Sequence, residues 1–265
     1  MINRWNETEA AQFKNDPVMM RAYTSRLLGM EPALVQHGGG NTSVKASREN
    51  LFGEREELLY VKGSGWDLAT IEPQGFAPVK MDVLLRMARL KTLSDGDMVR
   101  EQKAAMTNPS APAPSVEAIL HAIIPFKFVE HTHSDAVVTL TNTPEGERNA
   151  REVFGDKVLI APYVMPGFVL ARQIFELTQD LKWQNYEGMV LLNHGIFTFH
   201  DDPRIAYENM IRLVTSAEQF LERQKATQLR AAKATVEPTA SNLAELRHEL
   251  SKLAGTPMLV RLNTQ

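Results

Sequence analysis

The sequence predicts a mixed α/β sandwich, and three observations predict it. Helical and extended patterns are interspersed without the regular spacing of βαβ units. Two extended runs, 44–47 and 58–61, flank a tight charged turn at 53–57 and read as an antiparallel hairpin. A chain of 265 residues, 43% hydrophobic and 23% charged, suffices for an extensive core.

In chain order, Asp16-Pro17 is an N-cap followed by proline at the first helical position, opening a helix toward residue 28. The run His37-Gly38-Gly39-Gly40-Asn41-Thr42-Ser43 is read as its end. After the hairpin, the loop Lys62-Gly63-Ser64-Gly65 leads to a helix over 79–91, with Val83, Leu84, Met87 and Leu90 on one stripe. Residues 108–114 hold three prolines and read as a loop. From Ser115 to Ile124 the pattern is helical, placing Glu117 and His121 at i and i+4 on one face. A strand follows, ending in His131-Thr132-His133, then apolar segments at 158–160 and 189–199. Asp202-Pro203 opens a long helix with Ala206, Met210, Leu213, Ala217, Phe220 and Gln224 at helical spacing, extending to about residue 230. Residues 235–241 read as a linker, and 242–265 as a helix ending at Gly255 plus a strand at 258–262. The expected division is a main body, 1–231, and a C-terminal extension, 232–265.

The formal net charge of −3 argues against a partner bound through a broad basic surface, such as nucleic acid, and favours a small molecule. There are no cysteines, so any transition metal must be held by His, Asp or Glu. The first twenty residues lack the apolar core of a signal peptide, and no stretch approaches the roughly 18 uninterrupted apolar residues of a membrane span. The expected location is the cytoplasm, with no membrane partner.

His131 and His133 lie two apart on a strand, so they share a face with Cα atoms about 6.5 to 7 Å apart, within reach of one divalent ion. A third histidine, His194, ends another apolar run, and three histidines with an open position suit catalytic zinc. By itself a His-x-His pair in a strand is more often structural or accidental than metal-binding. Glu117 is a fourth ligand, a general base, or simply a negative charge favoured at a helix N-terminus. The loops 38–43 and 63–65 can turn backbone N–H groups toward an anion, with Asn41, Thr42, Ser43 and Ser64 adding side-chain donors. Neither loop matches a nucleotide fingerprint, so phosphate on a small metabolite fits better. His121, on the Glu117 face, is either a partner behind the metal site or a packed helix histidine, and His37, His121, His200 and His248 are not assigned to the metal.

Five motifs occur in order: Gly39-Gly40-Asn41-Thr42-Ser43, Lys62-Gly63-Ser64-Gly65 followed by Asp67-Leu68, Pro114-Ser115 followed by Glu117 and His121, His131-Thr132-His133-Ser134, and Asn193-His194-Gly195. Together, over residues 38–221, they resemble the class II aldolase and adducin family, in particular its metal-dependent sugar-phosphate aldolases acting on L-fuculose or L-rhamnulose 1-phosphate. The resemblance implies a three-layer αβα sandwich around a mostly antiparallel sheet, assembled as a homotetramer. It implies that His131, His133 and His194 bind Zn2+, or another divalent ion such as Co2+ or Mn2+. It implies that Glu117 is the proton-transferring base, and that Asn41, Thr42, Ser64, Gly65 and Ser115 cradle the substrate phosphate.

The reaction so implied is cleavage of a phosphorylated ketose to dihydroxyacetone phosphate and an aldehyde. Sugar-phosphate 4-epimerisation and decarboxylation of a phosphorylated oxo acid are alternatives within the family, and a non-catalytic adducin-like domain is a third. Two departures stand out. Val116 occupies a position where many relatives carry a second serine, and no tyrosine follows Tyr207 to match the C-terminal tyrosine acid of the fuculose-phosphate enzyme. Residues 243–263 resemble the connecting segment of fusion proteins in which such an aldolase domain precedes a short-chain dehydrogenase.

Overall fold

The computed structural model describes residues 1–226 and 239–261. The chain forms two compact units, Met1–Lys225 and Ala226–Gln265. In the first, the elements run α1 (Glu7–Ala11), α2 (Pro17–Gly29), β1 (Asn41–Glu49), β2 (Arg55–Lys62), β3 (Phe76–Lys80), α3 (Met81–Ala88), α4 (Asp95–Ala104), α5 (Ala118–Ile123), β4 (Phe128–Thr132), α6 (Asp135–Thr141), α7 (Gly146–Phe154), β5 (Val158–Ala161), α8 (Phe168–Leu177), β6 (Gly188–Leu191), β7 (Gly195–His200) and α9 (Pro203–Arg223). The strands make one seven-stranded sheet in the order β3-β2-β1-β4-β7-β6-β5. All pairs are antiparallel except β5 with β6. The architecture is the expected mixed α/β one, a mostly antiparallel sheet flanked by helices.

Side chains alternate along each strand, and this alternation splits the core in two. Leu58, Tyr60, Phe128 and Ile196 pack with Leu28, Val137, Tyr207 and Met210 on the face covered by α2, α6 and α9. Leu59, Val61, Val129 and Phe197 pack with Leu84, Met98, Ile119 and Ile174 on the face covered by α3, α4, α5 and α8. The same parity sorts the polar residues. Thr42 and Glu130 look toward α2, where they meet Ser25 and Arg21, whereas Ser43 looks toward α5, where it meets His121. Arg21 and Glu130 form a fully buried ion pair at 2.8 Å directly behind the strand that carries His131. Lys45 fixes α5 from below: its Nζ donates to the carbonyls of His121, Ile124 and Phe126 at 2.7–2.8 Å.

Several expectations are corrected. The helix opened by Asp16 ends at Gly29, with the Met30 N–H bonded to the Arg26 and Leu28 carbonyls, well before the glycine run. The hairpin strands are longer than expected, because pairing propagates from Ser43↔Val61 to Glu49↔Arg55. Residues 76–80 form β3 instead of entering the helix at 79. β3 is a sheet edge, where Pro78 can pair without offering an N–H. The helix after it covers only 81–88, leaving Leu90 exposed. Ser115 precedes its helix, with Glu117 at the N-cap. Segment 189–199 is two strands with a turn between them.

The short helices α1, α4, α6, α7 and α8 have no counterpart in the sequence reading. α9 ends at Arg223, and the expected continuation to 230 runs into residues outside the described ones. In the second unit, Thr239 caps α10 (Ala240–Ala254), its hydroxyl accepting the Asn242 N–H, so the expected linker ends at 239. Residues 235–238 of that linker lie outside the described residues. Residues 258–261 are not a strand, and Leu262 lies outside the described residues.

Candidate functional site

β4 delivers His131 at its penultimate position, facing α5, and the chain continues past Thr132 to His133 on the same side. His194 comes from the tight turn between β6 and β7. Asn193 there adopts a left-handed conformation (φ 58°) that asparagine tolerates, and its Nδ2 donates to Asn142 Oδ1 at 2.5 Å. Gly195 follows because nothing larger fits: a Cβ there would lie 2.4 Å from the Thr132 carbonyl and 3.0 Å from His131 Cε1. The Asn-His-Gly order is thus a geometric solution for bringing β7 against the two strand histidines.

One ring nitrogen from each of His131, His133 and His194 lies within 4.8 Å of the others. The His131 Nδ1 donates to the Ile196 carbonyl at 3.1 Å, leaving its Nε2 with a lone pair, and the His133 Nε2 faces it at 3.0 Å. Burial lowers the basicity of all three rings, most strongly His131; neighbouring imidazoles add to the effect at His131, Lys62 adds to it at His133, and Glu117 opposes it at His194. Three neutral imidazoles with converging lone pairs and no thiolate form a donor set that suits a borderline divalent cation.

Glu117, at the N-cap of α5, reaches into this cluster. Its Oε2 lies 3.4 Å from His131 Nε2 and its Oε1 3.4 Å from His194 Nε2. The carboxyl is almost fully buried, and burial pushes its pKa up against the opposing pull of His194 and the Asn41 amide. Its Oε1 has no hydrogen-bond partner among the described residues. A buried, unpartnered carboxylate oxygen beside imidazole lone pairs is the environment a bound cation or a reacting proton would satisfy.

Beside the cluster opens a pocket of about 270 Å³. Glu117 and His133 line it together with the loops 38–41 and 62–65. The proline-rich loop is pinned to the second of these loops, Ser64 N–H donating to the Ala113 carbonyl at 2.8 Å and Ser115 N–H to the Lys62 carbonyl at 3.1 Å. Ser115 and Val116, which follow that pairing, also line the pocket.

The structure therefore brings together Glu117, His131, His133, His194, Asn41, Ser64, Gly65 and Ser115. It does not bring Thr42 to the pocket. Thr42 points through the sheet to α2, its hydroxyl 2.8 Å from that of Ser25, because the strand already begins at Asn41 and neighbouring residues face opposite sides. Asn41 is also partly committed inward, its Oδ1 to His121 and one N–H to Glu117.

Sequence reasoning missed Lys62. It is 6% exposed, lines the pocket, and donates through Nζ to the Gly38 carbonyl at 2.9 Å; burial lowers its pKa, opposed by Asp67. The available signal was a lone cation at the end of a strand, immediately before a Gly-Ser-Gly loop.

A family model described as Class II Aldolase and Adducin N-terminal domain matches residues 20–221. The chain is 32% identical over 217 residues to the Uncharacterized oxidoreductase YuxG of Bacillus subtilis, a match covering 82% of this chain and 31% of that protein, so the chain spans about a third of the relative's length. Among solved structures, the N-terminal class II aldolase domain of a conserved protein from Thermoplasma acidophilum superposes with a TM-score of 0.75 at 41% identity, covering 83% of this chain and 99% of that one. The sugar-phosphate aldolase of Thermotoga maritima shares the fold, with a TM-score of 0.59 at 14% identity over 83% of this chain and 99% of that one. The family match, the sheet topology and the ordered motifs agree: the chain belongs to the class II aldolase and adducin family.

Proposed function

We propose that the chain is a divalent-metal-dependent lyase that cleaves a phosphorylated ketose, of the L-rhamnulose or L-fuculose 1-phosphate kind, to dihydroxyacetone phosphate and an aldehyde. The observation that carries this reading is the position of Glu117, within 3.4 Å of His131 and of His194 and lining the same pocket as the buried Lys62. His131, His133 and His194 would hold Zn2+, or Co2+ or Mn2+. A divalent cation held there supplies positive charge where the donor's oxygens become negative during bond cleavage. Glu117 moves the donor proton, its raised pKa suiting a group that must both accept and return one. Lys62, Ser64, the Gly65 N–H, Ser115 and the remaining N–H of Asn41 hold the phosphate and orient the donor carbon toward Glu117. Thr42 has no part in this, since its hydroxyl faces Ser25.

In this reading residues 1–231 are the catalytic domain and 232–265 an extension, and the enzyme is a cytoplasmic homotetramer. No helix among the described residues is long and apolar enough to cross a membrane. The family's epimerase or decarboxylase chemistry is a second reading of the same site. Tyr207 is buried, its hydroxyl accepting the Arg4 N–H at 3.0 Å, so it is not the group that protonates a leaving group. Incubating the metal-loaded chain with ketose phosphates and phosphorylated oxo acids separates these readings. Release of triose phosphate supports the lyase, whereas released carbon dioxide or an epimeric sugar phosphate supports the second reading.

A further inference from the structure

Behind the pocket, four buried polar side chains form one hydrogen-bonded line. Ser43 Oγ lies 2.8 Å from His121 Nδ1, His121 Nε2 contacts Asn41 Oδ1, and Asn41 Nδ2 lies 2.6 Å from Glu117 Oε2. Ser43 and His121 are fully buried, and Asn41 and Glu117 nearly so. The direction of each bond follows from one end. Asn41 presents its NH2 to Glu117, Nδ2 donating to Oε2, which only accepts in this arrangement. Its carbonyl oxygen then faces His121 and also only accepts, so His121 Nε2 carries the hydrogen. A neutral imidazole protonated at Nε2 has a bare Nδ1, which accepts the hydroxyl of Ser43.

The asparagine amide is the weak point of this line. Rotated by half a turn it fills the same space but turns a carbonyl oxygen against the carboxylate. The reversed line is self-consistent only with a proton on Glu117 Oε2 and a hydrogen on His121 Nδ1. What distinguishes the two is therefore the tautomer of His121.

We propose that His121 is a positioning residue for Glu117: as the Nε2–H tautomer it locks the Asn41 amide, which holds Oε2 and so fixes how the carboxyl is presented, with Oε1 toward His194. Glu117 Oε1 lacks any hydrogen-bond partner among the described residues, so the Asn41 amide is the group that orients the carboxyl. Lys45, donating to the His121 carbonyl, anchors the helix turn from which the ring projects. The assignment rests on Glu117 being the proton carrier of the proposed reaction.

The test is long-range proton–nitrogen correlation of the histidine rings in the zinc-loaded chain near neutral pH, with His121 identified by its absence in H121Q. A bare Nδ1 and protonated Nε2 are expected; the opposite tautomer, or a doubly protonated ring, overturns the proposal. Kinetics give the second readout, using hydrogen exchange at the donor carbon of dihydroxyacetone phosphate. His121→Phe should lower kcat by about 10- to 100-fold with KM changed less than about twofold, and His121→Gln, which restores an N–H near the Nε2 position, should recover most of the rate. Equal kcat in His121→Phe and the parent chain overturns the proposal. If the parent chain exchanges no hydrogen, the reading of Glu117 as proton carrier fails instead, and the tautomer alone decides the bonding line.

Discussion

Asn41 and His131 stand directly opposite each other across the β1–β4 ladder. Antiparallel pairing thereby sets the amide that holds Glu117 beside the imidazole that Glu117 approaches, although the two residues belong to distant parts of the chain. The preceding glycine makes the pairing possible. Gly40 has φ 62°, and a Cβ there would lie 2.8 Å from the His131 carbonyl and 2.7 Å from Val35 Cγ1. The glycine run is required for strand entry as well as for lining the pocket.

The close approach of Gly195 to the strand histidines makes a sharp prediction. In Gly195→Ala the new methyl must displace the Thr132 backbone, since it would lie 2.4 Å from that carbonyl, and the shift passes directly to His131 and His133. Zinc affinity, measured by competition with a chromophoric chelator, should fall about 10- to 100-fold, accompanied by about 1–3 kcal/mol of lost stability. Unchanged zinc affinity would show that these histidines do not act as one site.

Lys62 gives a second test, on the anion side of the pocket. Hydrogen bonds to charged groups contribute about 1.5–3 kcal/mol, so Lys62→Met should weaken inorganic phosphate binding by about 10- to 100-fold in calorimetric titration. Folding should be unaffected or slightly improved, because burial already disfavours the ammonium group. Phosphate affinity equal to that of the parent chain would remove Lys62 from the site.

The buried imidazole of His121 predicts a pH dependence of stability. Burial holds its pKa well below the ordinary value near 6.5, with the charges of Lys45 and Arg21 acting in the same direction. The folded state therefore stays neutral while the unfolded chain takes up a proton, so this residue's contribution to stability falls as pH drops below about 6.5, at up to about 1.4 kcal/mol per pH unit. Glu117 and Glu130, whose pKa values are raised, act with the opposite sign. Comparing urea unfolding of the metal-free parent chain and of His121→Gln at pH 7.5 and 5.5 isolates the histidine. The parent should lose about 1 kcal/mol more than the variant over that interval. An equal loss in both would contradict a neutral buried ring.

What the sequence reveals of this fold and site follows the range of the interactions involved. Local signals are legible. Asp16 and Asp202 each precede proline, and each accepts two backbone N–H bonds at the start of a helix. The hairpin declares itself through its charged turn, and the three histidines through their spacing and their apolar strands. Features set by distant pairing are not legible. β3 is too short and too proline-bearing to announce itself beside a stronger helical stripe, and its existence depends on β2. Thr42 shows the sensitivity best, because a β1 register shifted by one residue would turn its hydroxyl to the pocket face and Asn41 away from it. The spacing of His121 from Glu117 is legible, but its partners are not: Ser43 and Asn41 reach it only through the register of β1 across the sheet.

The most direct test of the account is hydrogen exchange between solvent deuterium and the donor carbon of dihydroxyacetone phosphate, measured for the zinc-loaded parent chain and for Glu117→Gln. The parent chain should exchange the hydrogen, and Glu117→Gln should bind one zinc per chain with exchange abolished. Exchange at the parent rate in a metal-replete Glu117→Gln chain would contradict the placement of Glu117 as the proton carrier, and with it the proposed reaction at this site.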